Sequence, residues 1–285
     1  MTATPALPTV HSVSELRSQI QTWRSEGLKI GFVPTMGALH AGHLALVHKA
    51  MDRADRVVVS IFVNPAQFAP GEDFEAYPRT LQSDSEKLAA IGTHLVFAPN
   101  ANEMYPQGFA TSVALKGPAL GLETDARPHF FDGVATVVAK LLNQVRPDLA
   151  VFGEKDYQQL LVIRRLNADL DLGVDILAGQ TEREADGLAL SSRNAYLSPQ
   201  DRERAGKLNV ILKHFADALR AGSELELAQA TALEAAAAVF DRVDYIAARH
   251  SETLEPLDAG PVQQSCRILG AVWVGQTRLI DNLAV

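Results

Sequence analysis

Lys29-Ile30-Gly31-Phe32-Val33-Pro34-Thr35-Met36-Gly37-Ala38-Leu39-His40-Ala41-Gly42-His43-Leu44 is the stretch on which the fold turns. Its first five residues read as an apolar strand. Its far end opens a helix with apolar residues at Leu44, Val47 and Met51. His40 and His43 therefore stand three apart where a strand turns into a helix, with Gly42 between them. Residues three apart share a helix face, so both imidazoles can address one ligand. The turn also exposes backbone N–H groups and the positive end of the helix dipole. That combination suits an anion, above all a phosphate.

Outward from this turn, short apolar runs alternate with helical periodicity. Strands are expected at Lys29–Val33, Arg56–Val63, Thr93–Ala98, Leu149–Gly153 and Val174–Ala178, and helices at Leu44–Arg53, Leu81–Ile91, Val134–Val145 and Tyr157–Asp169. Such alternation predicts an α/β domain built on a doubly wound parallel sheet. Ligands in these sheets bind at the carboxyl ends of the strands, which is where the histidine turn falls. Residues 99–131 form a long irregular connection of the kind that is functional or mobile. After about residue 181 the pattern changes. Ser198 and Pro199 read as the N-cap and first position of a helix. Arg202–Arg220 and Glu224–Phe240 read as helices, Val243–Ala248 as a strand, and Arg267–Val274 with Arg278–Asn282 as a hairpin across Gly275-Gln276-Thr277. Two domains are expected: 1–181, Rossmann-like, and 182–285, a smaller α+β domain covering the site.

With 285 residues the chain is long enough for a large core, and its net charge of −8 argues against a nucleic-acid surface. A nucleotide needs only a local positive pocket. The one cysteine, Cys266, excludes an internal disulfide and reads as a packed thiol in a reducing compartment. The first twenty residues carry no signal-peptide pattern, Val10–Leu16 reads as a helix start, and no apolar run approaches a membrane span. A cytoplasmic protein without membrane contact is expected.

Three further segments carry chemistry. Phe62-Val63-Asn64-Pro65-Ala66-Gln67-Phe68 ends the second strand. The Asn64 and Gln67 amides suit the hydroxyl or carboxylate of a small polar substrate, or else shape a turn. In Val151-Phe152-Gly153-Glu154-Lys155-Asp156-Tyr157-Gln158-Gln159, Gly153 permits close backbone approach and Lys155 is a point charge for a phosphate. Asp156 stands where it can cap the following helix, with Gln159 on the same face. A solvated lysine and a capping aspartate are the alternative. Asp186-Gly187-Leu188-Ala189-Leu190-Ser191-Ser192-Arg193-Asn194 lies near the expected domain junction, and its two hydroxyls and guanidinium are strong polyphosphate donors. Its alternative is a surface turn whose hydroxyls bond the local backbone. For the histidines the competing readings are a structural pair or a metal site. The latter needs further ligands, which neither His48, facing elsewhere, nor any His-Glu-x-x-His order supplies.

These segments, with Tyr77-Pro78-Arg79-Thr80 and Arg183-Glu184-x-Asp186, resemble the pantoate–β-alanine ligases along nearly the whole chain. This family lies within the superfamily of class I nucleotidyltransferases and aminoacyl-tRNA synthetases. His-x-Gly-His alone marks only the superfamily; the other segments, in this order, mark the ligase. The resemblance implies ATP-dependent formation of a pantoyl adenylate with release of pyrophosphate, then attack by β-alanine with release of AMP. It implies that Met36, Gly37, Ala38, Leu39, His40, Ala41, Gly42 and His43 line the nucleotide, His40 and His43 stabilising phosphate charge and His43 donating a proton. Lys155, Ser191, Ser192 and Arg193 would hold the polyphosphate. Gly153, Glu154, Asp156, Glu182 and Leu190 would complete the ATP site. Gln67 and Gln159, with Asn64 and Tyr77, would bind pantoate, and Asp84 would hold Mg²⁺. A homodimer is also implied. The family's charge-stabilising chemistry needs no nucleophilic Ser or Cys, and a water-sensitive adenylate calls for a cover, expected from 99–131 or 182–193.

One departure stands out. The family commonly reads Arg-Pro-x-His-Phe-x-Gly-Val, where this chain has Arg127-Pro128-His129-Phe130-Phe131-Asp132-Gly133-Val134. Phe130 occupies the histidine's usual place, and His129 precedes it. Two competing functions are a plain nucleotidyltransferase, which stops at a nucleotide product, and a nucleotide-binding regulator without catalysis. Against the second stands the joint presence of His40, His43, Lys155 and Ser191-Ser192-Arg193.

Overall fold

A computed structural model of the chain describes residues 7–69 and 71–285. In chain order the elements are β1 (Thr9–Val10), α1 (Val13–Ser25), β2 (Ile30–Thr35), α2 (Ala41–Met51), β3 (Arg56–Ile61), α3 (Leu81–Ala90), β4 (Leu95–Phe97), α4 (Ala101–Met104), α5 (Glu123–Ala126), α6 (Phe130–Val145), β5 (Leu149–Gly153) and α7 (Tyr157–Asp169). There follow β6 (Asp175–Gly179), α8 (Pro199–Arg220), α9 (Leu225–Ala237), β7 (Arg242–His250), β8 (Cys266–Val274) and β9 (Thr277–Ala284). The chain divides into two compact units. Residues up to Leu115, Arg127–Glu154 and Val162–Gly179 form the first; Lys116–Ala126, Lys155–Leu161 and Gln180–Val285 form the second.

The first unit holds a six-stranded sheet in the order β1-β4-β3-β2-β5-β6, and every pairing in it is parallel. Strands of such a sheet are buried on both faces and read as continuous apolar runs, which is why Val57, Val58 and Val59 are all without solvent exposure. Alternate residues face opposite sides. Val33, Val57, Val59, Val96 and Val151 pack with Leu46, Val47 and Ala50 of α2 and Leu88 of α3, while Phe32, Val58 and Phe97 are buried on the other side. The chain order reverses between β2 and β5, so this pair is the topological switch point, where open α/β sheets bind ligands. The histidine turn leaves the carboxyl end of β2, and Gly153-Glu154 leaves that of its neighbour β5.

In the second unit, β7, β8 and β9 form an antiparallel sheet. One face packs on α8 and α9 through Leu208, Leu212, Phe215 and Ala232. The other is covered by Leu122, Leu161, Leu254 and Tyr157. Ser198 caps α8, its hydroxyl accepting from the Asp201 N–H, with Pro199 at the first position, as the sequence indicates. The β8–β9 turn holds two residues rather than the three expected, since Val274 pairs with Thr277. Gly275 takes φ +57° there, the left-handed conformation such tight hairpin turns require. Among the described residues no helix is long and apolar enough to cross a membrane.

Candidate active site

The turn after β2 is held from beneath by Asp84 of α3. Gly37 and Ala38 have φ of +87° and +51°, and two successive left-handed residues need an external reason. Asp84 supplies it. Its Oδ2 accepts from the Ala38 N–H at 2.9 Å and the Thr80 hydroxyl at 2.9 Å, and its Oδ1 from the Leu39 N–H at 2.9 Å. Lys87 Nζ donates to the Leu39 carbonyl at 2.7 Å and lies 3.9 Å from Asp84 Oδ1. One carboxylate and one ammonium thus bracket the Ala38–Leu39 backbone.

This geometry bears on two expectations. The Asp84 side chain has no exposed surface, and three donors plus the nearby Lys87 occupy it. Mg²⁺ demands an octahedral shell and keeps several waters, so Asp84 does not fit as its ligand. The N–H groups of Ala38 and Leu39, two of the residues expected to line the nucleotide, also donate to Asp84. Those of Ala41 and Gly42, in the first turn of α2, have no protein acceptor among the described residues. They are the donors left for an anion.

His40 precedes α2 in an extended conformation, and His43 lies in its first turn. Their rings nonetheless meet, with centroids 4.1 Å apart. The His40 backbone N–H donates to His43 Nδ1 at 3.3 Å. A backbone N–H can only donate, so Nδ1 carries the lone pair and the proton sits on Nε2. His43 is thereby set as a donor at its outer nitrogen.

Beside this turn, Asn64 is 1% exposed and all four of its hydrogen-bonding places are filled. Its Oδ1 accepts from the Tyr105 hydroxyl at 2.7 Å and the Ala66 N–H at 3.3 Å; its Nδ2 donates to Gln67 Oε1 at 3.2 Å and the Gly133 carbonyl at 3.2 Å. Asn64, expected to touch substrate, has no capacity left for it. Gln67 Nε2 faces Met36 Sδ at 3.0 Å, which joins the two sequence segments. Tyr77, also expected at the substrate, is 5% exposed and meets Phe68 edge-on at 6.0 Å; it supports this loop from inside. Phe130 has a role of its own. The Arg127 guanidinium lies over its ring at 3.9 Å, forks onto Glu72 at 2.7 and 2.6 Å, and donates to the Gln67 carbonyl at 3.1 Å. His129 is an exposed residue at the start of α6.

Of the other expected residues, Gly153 and Glu154 lie at the end of the first unit's β5 segment, and the rest fall in the second unit. Lys155 and Asp156 form a 3₁₀ turn with Glu154 that runs into α7. Lys155 Nζ lies 3.7 Å from Asp156 Oδ1, and its carbonyl accepts from Asn282 Nδ2 at 2.8 Å. Glu182 and Leu190 close a small hairpin, the Leu190 N–H donating to the Glu182 carbonyl at 2.9 Å. Within that hairpin, Arg183 forks onto Asp281 at 2.7 and 2.9 Å. Asp281 and Asn282 of β9 therefore tie the hairpin and Lys155 to one strand. Ser191 caps the following 3₁₀ turn, Ser192–Tyr196, by accepting from the Arg193 N–H. Gln159 follows in the first turn of α7.

Sequence reasoning did not single out Tyr105, Lys87, Asp281 or Asn282. No local pattern marks them, because each acts on a residue far away in the chain.

The family model for pantoate-beta-alanine ligase matches residues 8–284. A pantothenate synthetase from Maricaulis maris is 59% identical over 281 residues, covering 99% of this chain and 98% of its own. The crystal structure of a pantothenate synthetase from Thermus thermophilus has a TM-score of 0.90 and 48% identity, over 97% of this chain and 99% of that one. A pantoate-beta-alanine ligase from Francisella tularensis, complexed with beta-gamma ATP and beta-alanine, has a TM-score of 0.81 and 36% identity, covering 98% of each chain.

Proposed function

This chain belongs to the pantoate-beta-alanine ligase family, and from that membership we infer that it condenses pantoate with β-alanine at the expense of ATP. The match runs through every segment that carries chemistry, and the histidine turn lies at the switch point of the sheet. That coincidence carries the reading.

In the first step a pantoate carboxylate oxygen bonds to the α-phosphorus as the bond to the β-phosphate oxygen breaks, and pyrophosphate leaves. In the second, the β-alanine amine nitrogen bonds to the acyl carbon, the acyl–phosphate oxygen bond breaks, AMP leaves, and the nitrogen gives up a proton to water. No covalent enzyme intermediate is needed, so the protein's task is to position reactants and offer donors where charge develops. The open N–H groups of Ala41 and Gly42 receive a phosphate. His43, protonated at Nε2, donates to the oxygen that gains charge, with His40 beside it. A well-aimed donor of this kind contributes roughly 3 kcal/mol to the barrier. Lys155, Ser191, Ser192 and Arg193 hold the leaving phosphates. Met36, Gly153, Glu154, Asp156, Glu182 and Leu190 line the nucleotide, and Gln67 and Gln159 bind pantoate through their amides. Mg²⁺ belongs to this reading as a companion of the triphosphate, with Asp84 serving the loop and not the ion. A homodimer in the cytoplasm completes the proposal.

The test is exchange of labelled pyrophosphate into ATP without β-alanine. The expected result is exchange that depends on pantoate, and its loss by on the order of a hundredfold in His43→Ala and Lys155→Ala. A plain nucleotidyltransferase shows no pantoate dependence, and a regulator shows no exchange.

A further inference from the structure

Gln67 has an amide that can face a ligand in two ways, and only one suits an acid. Pantoate presents a carboxylate and hydroxyl oxygens, so a useful Gln67 shows its N–H groups and hides its carbonyl. Nothing in the glutamine itself enforces this, since O and N have nearly the same shape.

The enforcement comes from behind. Asn64 is oriented by two backbone groups that permit no alternative: the Ala66 N–H requires an acceptor at Oδ1, and the Gly133 carbonyl requires a donor at Nδ2. With Nδ2 so placed, its second hydrogen must meet an acceptor, which selects Oε1 of Gln67 at 3.2 Å. On the opposite side, Oδ1 has room for one more donor, and the Tyr105 hydroxyl fills it at 2.7 Å. This is the shortest bond of the set. The tyrosine ring is pinned between Phe62, centroid 6.2 Å away, and Phe109, at 5.1 Å. That leaves the donor end, Gln67 Nε2, on the other side of the amide, where among the described residues it meets a thioether, Met36 Sδ. A thioether is a weak acceptor that yields readily to a carboxylate oxygen.

Resting on the ligase reading above, we propose that Tyr105 is a positioning residue for pantoate, acting through Asn64 to keep the donor end of the Gln67 amide toward the substrate. Tyr105 touches no substrate itself. Burial pushes its phenol up to about 12, so it remains a donor across the working pH range.

The experiment compares Tyr105→Phe with the wild-type enzyme, and repeats the substitution in a Gln67→Ala background. Tyr105→Phe keeps the ring and loses the hydroxyl. The expected result is a rise of about tenfold in the KM for pantoate, about 1.4 kcal/mol, with the KM for ATP within twofold and the melting temperature little changed. In the Gln67→Ala background the same substitution is expected to have no further effect on pantoate, because the group it orients is gone. The proposal falls if the two penalties add in full or if Tyr105→Phe leaves the pantoate KM unaltered. Absence of pantoate-dependent exchange in the wild-type enzyme overturns the ligase reading instead, so the two failures are distinct.

Discussion

At the scale of single residues, the site turns on which polar groups are free and which are engaged. His43 is a directed donor because one backbone N–H claims its other nitrogen. Asp84 is engaged on both oxygens, and a carboxylate so placed is a strut for the Ala38–Leu39 peptide. A strut and a metal ligand respond differently to loss of charge. In Asp84→Asn one oxygen becomes an N–H₂ that opposes the backbone donors, so the left-handed turn is expected to relax. We expect the KM for ATP to rise roughly tenfold, about 1.4 kcal/mol, while the Mg²⁺ concentration for half-maximal rate stays within twofold. Steady-state rates across a Mg²⁺ titration make the distinction, since a lost metal ligand raises the Mg²⁺ requirement and is rescued by excess ion. The residue types proposed to carry chemistry, His40, His43, Gln67 and Lys155 among them, are identifiable in the sequence. Their state of engagement is not. Asn64 and Asp84 look like free polar groups until partners 41 and 46 positions away are in place.

At the scale of elements, the long periodic segments fell where their patterning put them, with β5 and α7 matching to the residue. Continuous apolar runs suffice for strands buried on both faces, and the Ser198–Pro199 pair suffices for a helix start. The short pieces were less legible. The two-residue strand β1 and the single turns α4 and α5 owe their form to neighbours rather than to their own propensity. Gly133 illustrates a close approach between elements. A Cβ there would stand 2.1 Å from the Ala66 carbonyl oxygen, so α6 can meet the 65–67 turn only through a glycine. Gly133→Ala must therefore push that turn away. We expect a loss of about 2 kcal/mol in stability, read by urea unfolding, and weakened pantoate binding, because Gln67 and the acceptor for Asn64 move together.

At the scale of the whole molecule, each unit is closed by a polar network between distant parts of the chain. In the second unit Arg278 donates from Nε to Asp244 at 2.7 Å and forks onto Glu123 at 2.8 and 2.8 Å, while Tyr245 donates to Glu123 at 2.6 Å. Burial works to raise the Asp244 pKa, but hydrogen bonds from Arg278 and Trp273 and the charges of Arg278 and Arg242 outweigh it. The carboxyl is held below its ordinary range. A depressed carboxyl stabilises the fold above the unfolded pKa and loses that contribution as pH falls through the folded one. Urea unfolding of wild type and Asp244→Asn should differ by about 3 kcal/mol near neutrality, where breaking a largely buried pair is costly. The gap should narrow below about pH 4, where an unfolded aspartate begins to protonate. A gap that stays constant down to acid refutes the linkage. What the sequence determined by itself was the alternation of strand and helix, the parallel sheet, the position of the histidine turn and the kind of chemistry its residues support, because all of these rest on local periodicity and residue type. Only the tertiary structure decided that Asn64 and Asp84 hold other groups, that Tyr105 stands behind Gln67, and that Lys87 and Asn282 clamp the loops. Hydrogen-bonding capacity is finite, and which groups exhaust it depends on partners that folding brings from far along the chain.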